Sequence, residues 1–125
     1  MSDVTLTHRT LSESPKIVLV SIVGQGNGQT GPRIEIYFDQ MLETEKPRHV
    51  LLDLSDLTFA ASVFFGSLLF WRETLASQGG KLVLFGLRPE VASTLRIATL
   101  DRVLTIRPDR HAAFAALLAA GADTI

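Results

Sequence analysis

The side chains that could do chemistry are few and scattered along this sequence. Its histidines, His8, His49 and His111, fall in a predicted strand, a loop and a predicted helix, without the spacing of a metal site. Asp53 and Asp56 could act as a carboxylate pair, but no nucleophile motif accompanies them. The absence of cysteine excludes disulfides, thiolate metal ligands and a cysteine nucleophile. The sequence therefore predicts no catalytic residue, no metal and no cofactor, and we expect that the protein is not an enzyme.

One glycine-rich segment could bind a phosphate group. The run Gly26-Asn27-Gly28-Gln29-Thr30-Gly31 matches G-x-G-x-x-G between a predicted strand and a predicted helix, and Asp53 follows at about the distance of a ribose-binding acid. However, Pro32 removes one of the amides that would contact the phosphate, and the chain is short for a complete dinucleotide-binding domain. A nucleotide or dinucleotide site at Gly26, Gly28, Gly31 and Asp53 is therefore an alternative prediction. The preferred interpretation of the glycine-rich segment is a flexible loop.

Length and composition indicate a single folded domain over residues 1–125. Hydrophobic residues make up 46% of the chain and charged residues 20%, which is enough apolar content for a core. Twelve Lys and Arg against thirteen Asp and Glu give a net charge of −1, without the basic excess that holds a nucleic acid. Val63–Trp71, the longest apolar run, is far shorter than a membrane span of about 20 residues. With no signal-like apolar segment in Met1–Leu11, we expect a cytoplasmic protein that binds neither nucleic acid nor membrane.

Hydropathy periodicity predicts an α/β protein that begins with a β-hairpin. The hairpin strands are Val4–His8 and Lys16–Val23, followed by a glycine-rich loop over Gly24–Gly31. Further strands are predicted at Val50–Leu54, Lys81–Phe85 and Val103–Ile106, and helices at Pro32–Glu45, Val63–Gln78, Pro89–Leu100 and from Pro108 to Gly121. Phe64, Leu68, Trp71 and Leu75 form one apolar stripe, and Phe114, Leu117 and Leu118 form another. This order predicts a mixed, mostly parallel sheet of about five strands with about four helices.

The stretch from His49 to Leu104 resembles the STAS domain, the family of anti-sigma-factor antagonists and of the cytoplasmic tails of sulphate transporters. The matching segments are Val50–Ser55, Phe59–Gly66, Gly79–Phe85, Pro89-Glu90-Val91 and Leu100–Val103. The likeness extends weakly to the amino-terminal hairpin. It implies a STAS-like fold and a binding module without catalysis of its own. In the bacterial antagonists a partner kinase, which is also the anti-sigma factor, phosphorylates a serine at a helix start and so breaks the complex.

The segment aligned with that phosphorylation site departs from the family pattern Asp-Ser-Ser-Gly-Leu-Gly. Ala61 replaces the aspartate, and Ser62 matches the first serine. Val63 stands at the phospho-acceptor position, and Phe64 replaces the first glycine. Phe65 takes the leucine position, while Gly66 is retained. Because valine has no hydroxyl, the resemblance implies a degenerate phospho-site.

The residues around Val63 suggest three further roles. Ser62 is predicted to cap the second helix, with phosphorylation of Ser62 or Thr58 as alternatives. Because neighbouring helix positions differ by about 100°, Phe64 and Phe65 are not expected to face the sheet together. Phe65 aligns with a core leucine, so we expect Phe64 to be partly exposed. Thr58, Phe64 and Phe65 are the predicted partner-binding residues.

The resemblance therefore implies a non-catalytic protein-interaction module. The expected partner is a serine kinase/anti-sigma factor or another STAS protein, and a homodimer is an open alternative. Two other classes of function remain: the nucleotide-binding protein described above, and a scaffold subunit that self-associates through the face around Phe64.

Overall fold

The computed structural model describes the backbone of residues 4–123 and the side chains of residues 4–118. This part of the chain contains six strands: β1 (Val4–Glu13), β2 (Lys16–Gly26), β3 (His49–Asp53), β4 (Leu57–Ala60), β5 (Leu82–Phe85) and β6 (Thr105–Arg107). It contains four α-helices: α1 (Gly31–Glu45), α2 (Ser62–Ala76), α3 (Pro89–Ile97) and α4 (Arg110–Asp123). A short 3-10 helix at Leu100–Arg102 follows α3.

The strands form one mixed sheet in the order β1-β2-β3-β5-β6. β1 and β2 make the antiparallel hairpin, and the pairs β2–β3, β3–β5 and β5–β6 are parallel. The predicted fold class is therefore confirmed, with one strand more than expected. The parallel strands all end at one edge of the sheet, where the following helices begin.

The additional strand, β4, corrects the prediction of a glycine-rich loop over residues 24–31. β2 continues through Gly26, and β4 pairs in parallel with its last residues, opposite Gly24, Gln25 and Gly26. The register shifts between Gly24 and Gln25, and Gly24 has a φ of 119°, which suits glycine at an irregular point in a strand. Pairing with β4 thus overrides the weak strand preference of glycine. The loop that remains is residues 27–30.

Helices cover both faces of the sheet. Along β2, Val18, Val20 and Ile22 face the larger core with α1, α2 and α3, whereas Ile17 and Leu19 face α4. Phe38 of α1 stacks on Trp71 of α2, with ring centroids 3.9 Å apart. The predicted stripe of Phe64, Leu68, Trp71 and Leu75 is fully buried. These contacts fix α1 and α2 side by side on one face.

The stripe predicted for α4 is only partly correct. Leu117 is buried and Phe114 is half-buried, but Leu118 is 64% exposed. Leu117 and Leu118 are adjacent in the helix and therefore point about 100° apart, so the narrow contact with the sheet buries only one of them. Among the described residues, no helix is long and apolar enough to cross a bilayer.

Candidate functional site

The starts of α1 and α2 meet at the carboxyl edge of the parallel strands. The Ala61 N–H donates to the Gly26 carbonyl over 2.7 Å, so the entry to α2 is tied to the end of β2. A Cβ atom placed on Gly31 would lie 3.8 Å from Cγ1 of Val63, so the valine rests against the first residue of α1. The segment from Ala61 to Phe64, which the sequence predicts to be a degenerate phospho-site loop, therefore lies at the junction of two helix starts.

The role predicted for Ser62 is wrong. The N-cap residue of α2 is Ala61, with an extended backbone, and Ser62 is already the first helical residue. No side chain caps this helix start, and the Ser62 side chain is exposed. The helix begins one residue earlier than the sequence indicates because the Ala61 carbonyl already accepts from the Phe64 N–H, at 2.9 Å. The Ser62 hydroxyl is thus left without a capping bond.

Val63, which is predicted to align with the family's phospho-acceptor, lies on the surface. Val63 is 46% exposed, and Phe59 on the preceding strand is 50% exposed. Thr58 is also exposed, but its hydroxyl donates to the Gly24 carbonyl at 3.0 Å and so belongs to the contact between β4 and β2. The side chains of Phe59 and Val63 therefore make the exposed surface around the Ser62 hydroxyl largely apolar.

The exposure predicted for Phe64 is also wrong. Phe64 is 2% exposed, and Phe65 is 6% exposed, as expected for a core residue. The Phe64 ring meets Trp71 edge-to-face at a centroid distance of 6.4 Å, and a Cβ on Gly26 would lie 3.1 Å from its Cγ. Both rings are buried because α2 packs on the sheet and on α1 together, which widens the buried arc of the helix beyond one stripe.

Two exposed aromatic residues were missed by the sequence reasoning. These are Phe59, on the strand before α2, and Phe70, on α2 itself. Phe70 is 63% exposed. A signal for Phe70 exists in the sequence, because the residue lies off the stripe of Phe64, Leu68 and Trp71. Phe59 gives no comparable signal, since its strand was not predicted. Exposed aromatic rings are frequent anchors in protein interfaces.

The glycine-rich segment does not offer a ready phosphate cradle. The Asn27 side-chain oxygen accepts the amides of Gln29 and Thr30, at 2.9 and 3.0 Å, and the Asn27 carbonyl accepts the amide of Gly31 at 2.8 Å. Thr30 is buried, and its hydroxyl donates to the Gln25 carbonyl at 2.6 Å. Because these amides already have acceptors inside the loop, the geometry does not favour the nucleotide-binding alternative.

The other residues of that alternative lie apart from any such cradle. Gly26 is a buried strand residue that packs against Phe64, and Gly28 faces open space. Asp53 ends β3 and accepts from both the amide and the hydroxyl of Ser55, at 3.0 and 2.6 Å. The carboxylate thus orders the turn after β3.

Two other titratable residues, Asp56 and His49, have local structural contacts. Asp56 lies 3.8 Å from the Arg88 guanidinium, in an exposed ion pair. The Nδ1 atom of His49 accepts from the Lys81 amide at 3.0 Å, and burial lowers the pKa of His49, helped by the charges of Arg48 and Lys81. Within the part of the chain that the structure describes, no three His, Cys, Asp or Glu residues form a group suited to a metal ion.

This architecture is that of the STAS domain, whose family model matches residues 8–113. The chain belongs to the STAS domain family. An anti-sigma factor antagonist from Mycobacterium paratuberculosis has a similar structure, with 21% identity, a TM-score of 0.76 and coverage of 90% of this chain and 94% of that chain. The predicted family and fold are confirmed.

Two further solved structures share the fold at lower similarity. An RsbS variant from Moorella thermoacetica is 19% identical, with a TM-score of 0.66 over 87% of this chain and 92% of that chain. The Bacillus cell fate determinant SpoIIAA, in its phosphorylated form, is 13% identical, with a TM-score of 0.61 over 85% of this chain and 96% of that chain. At these identities the likeness concerns the fold.

Proposed function

We propose that this STAS domain is a non-catalytic protein-interaction module whose binding surface is the start of α2. Its partner is a serine kinase/anti-sigma factor or another STAS protein, and the protein acts in the cytoplasm in transcriptional signalling. The proposal rests chiefly on Val63, an exposed apolar residue at the position where the family has its phospho-acceptor serine. The fold shared with an anti-sigma factor antagonist supports the class of partner.

The proposed binding differs from that of a regulated antagonist in one respect. A phosphate carries nearly two negative charges, which disrupt an apolar interface through repulsion and desolvation. Val63 cannot receive that phosphate, so partner binding through this surface would not be reversed at this position by the kinase. The affinity would then depend on the concentrations of the two proteins rather than on phosphorylation.

Mass spectrometry after incubation with a cognate-type kinase and ATP tests the loss of the switch. Wild-type protein should carry no phosphate between Ala61 and Phe64. The double variant Ala61→Asp/Val63→Ser, which restores the family residues, should accept a phosphate. Because the Ser62 hydroxyl is exposed and caps no helix, it is the competing acceptor. A stoichiometric phosphate on Ser62 in the wild type would refute the proposed loss.

A capture experiment from the source cell tests the binding surface. The Val63→Asp variant places a carboxylate at the position of the absent phosphate, in the first turn of a helix where an acidic side chain is compatible with folding. We expect Val63→Asp to lose the partner that the wild type retains. Ile97→Asp is the matched control, because Ile97 is 82% exposed on α3 and lies outside this surface. Equal capture by both variants would place the interface elsewhere.

The competing functions are less well supported. Self-association through the face around Phe64 requires an exposed ring, whereas Phe64 is buried. Nucleotide binding requires free amides in the loop, whereas those of Gln29, Thr30 and Gly31 already have acceptors. A homodimer formed through another surface stays a prediction, and sedimentation velocity over a range of concentrations tests it.

A further inference from the structure

An open groove runs between α1 and α2, below the start of α2. Its volume is about 470 Å³. α1 contributes Glu35 and Asp39 to its wall. The rest of the wall and the floor come from α2: Val63, Gly66, Ser67, Phe70 and Trp71. We call this surface the α1–α2 groove.

Gly66 has no role in the internal packing of the protein. It is exposed on α2, and a Cβ atom built on it would meet nothing within 4 Å beyond its chain neighbours and the backbone of its own helix. Glycine in a helix is less favourable than alanine by about 1 kcal/mol. The chain therefore carries a destabilising residue that its own core does not need. What the glycine provides is bare backbone at the surface, where another molecule can approach closely.

The groove presents an apolar strip on either side of Gly66. Val63 is 46% exposed and Phe70 is 63% exposed. Residues three, four or seven apart in a helix lie on one face, so these side chains and Gly66 between them form a continuous apolar line about two turns long. A second helix with apolar residues at the same spacing can lie along such a line.

The opposite wall of the groove is acidic and lacks basic partners. Glu35 receives a hydrogen bond from the Ser67 hydroxyl at 2.8 Å, which leaves its charge unneutralised. Within the described residues, neither Glu35 nor Asp39 pairs with a lysine or arginine. The arginines next to this region in α1 and α2 have other contacts. Arg33 donates to the Val4 carbonyl, and Arg72 pairs with Glu73.

We infer that the α1–α2 groove binds an amphipathic helix of a partner protein. The apolar face of that helix covers Val63, Gly66 and Phe70, and its lysine or arginine side chains pair with Glu35 and Asp39. This inference rests on the proposed function as a protein-interaction module and adds the chemistry of the partner segment. Charge complementarity selects a basic helix, because an acidic one would meet two uncompensated carboxylates. Opposite charges of this kind also speed association at low salt.

A displayed library of helical peptides, about four turns long and diverse in charge, provides the test without any cellular partner. The library is selected on the purified wild-type chain, and the affinities of enriched peptides are measured by fluorescence anisotropy. We expect enriched peptides to combine apolar residues at i, i+3 or i+4, and i+7 with flanking lysine or arginine. Their affinity should fall as salt rises, since exposed charge pairs are screened.

Substitutions in the groove locate the binding. Phe70→Ser should weaken an enriched peptide about thirtyfold, as for an interface anchor. Glu35→Gln/Asp39→Asn should weaken it about three- to tenfold. Gly66→Gln, which adds a side chain compatible with a helix, should also weaken it. The matched controls are Ile97→Ser for the exposed apolar residue and Glu90→Gln/Asp101→Asn for the charge change, and both should bind like the wild type.

Two results would overturn the inference. The first is that the enriched peptides carry no excess of lysine and arginine. The second is that the groove substitutions and the control substitutions change the peptide affinity equally. Thermal melts of each variant establish that it is folded, and Gly66→Gln provides a second measure if Phe70→Ser is unstable. The capture experiment changes only Val63, whereas this test changes Gly66, Phe70 and the two carboxylates, so the two outcomes can be told apart. A groove that fails this test leaves partner binding at the start of α2 intact, and a chain that captures no partner can still bind helical peptides here.

Discussion

Removing the Phe64 ring should destabilise the fold far more than removing the Phe70 ring from the same helix. Phe64 is 2% exposed, and its ring lies edge-to-face with Trp71. Phe70 is 63% exposed. Phe64→Ala and Phe70→Ala therefore make the same chemical change in two environments, and the second is a matched control for the first.

The magnitude follows from burial. Truncating a buried phenylalanine to alanine costs about 3–5 kcal/mol, which includes the lost transfer free energy and the cavity that remains. The aromatic contact with Trp71 accounts for about 0.5–1.5 kcal/mol of that. The ring of Phe70 contributes little to folding because most of it stays in water, and we expect its loss to change the free energy of unfolding by at most about 0.5 kcal/mol.

Calorimetry or thermal circular dichroism measures the difference. With an unfolding entropy of about 2.1 cal/mol/K per residue, a chain of 125 residues loses about 0.26 kcal/mol per degree near its midpoint. The midpoint of Phe64→Ala should fall by about 11–19 °C, and that of Phe70→Ala by no more than about 2 °C. Equal shifts for the two variants would refute the burial of Phe64. If Phe64→Ala is too unstable to purify, Phe64→Leu should give a smaller loss in the same direction.

Three further outcomes are expected. Ser62→Ala should leave the free energy of unfolding, measured by denaturant titration, within about 0.5 kcal/mol of the wild type, because the hydroxyl caps no helix. A loss of about 1 kcal/mol would mean that the hydroxyl does cap the helix. Gly66→Ala should raise the free energy of unfolding by up to about 1 kcal/mol, since the new methyl group meets nothing, and a lower midpoint would contradict this. Because the pKa of His49 is lowered in the fold, the unfolded chain binds its proton more readily, and stability should fall as the pH drops from 6.5 towards the lower folded-state pKa. His49→Asn, which can still accept from the Lys81 amide without titrating, should flatten the dependence of the free energy of unfolding on pH in this range. Urea unfolding curves recorded over a series of pH values measure that dependence, and an unchanged slope would exclude His49 as its source.

The fold could be predicted well from the sequence because its main signals are local. Val18, Val20 and Ile22 alternate with Ile17 and Leu19, and a strand rich in β-branched valine and isoleucine is identifiable without knowledge of its neighbours. The short strand β4 could not be predicted in this way. Leu57–Ala60 has no distinctive periodicity, and it becomes a strand only through its pairing with the end of β2.

The candidate site was harder to predict because its details depend on tertiary packing. The sequence located the loop around Val63, but the burial of Phe64 depends on the neighbouring α1 and on the close approach of Gly26. The N-cap of α2 depends on the bond from Ala61 to Gly26, between residues far apart in the chain. The α1–α2 groove combines side chains of two helices, and neither helix alone indicates it.

The position of β2 has a consequence for how the molecule opens. From Ile17 to Ser21 this strand is bonded to the edge strand β1 on one side and to β3 on the other. Successive amides of a strand point to opposite sides, so fraying of β1 frees only every second amide of β2. The others are released when the parallel sheet itself separates. Native-state hydrogen exchange along β2 should therefore alternate between residues that report edge fraying and residues that report global unfolding.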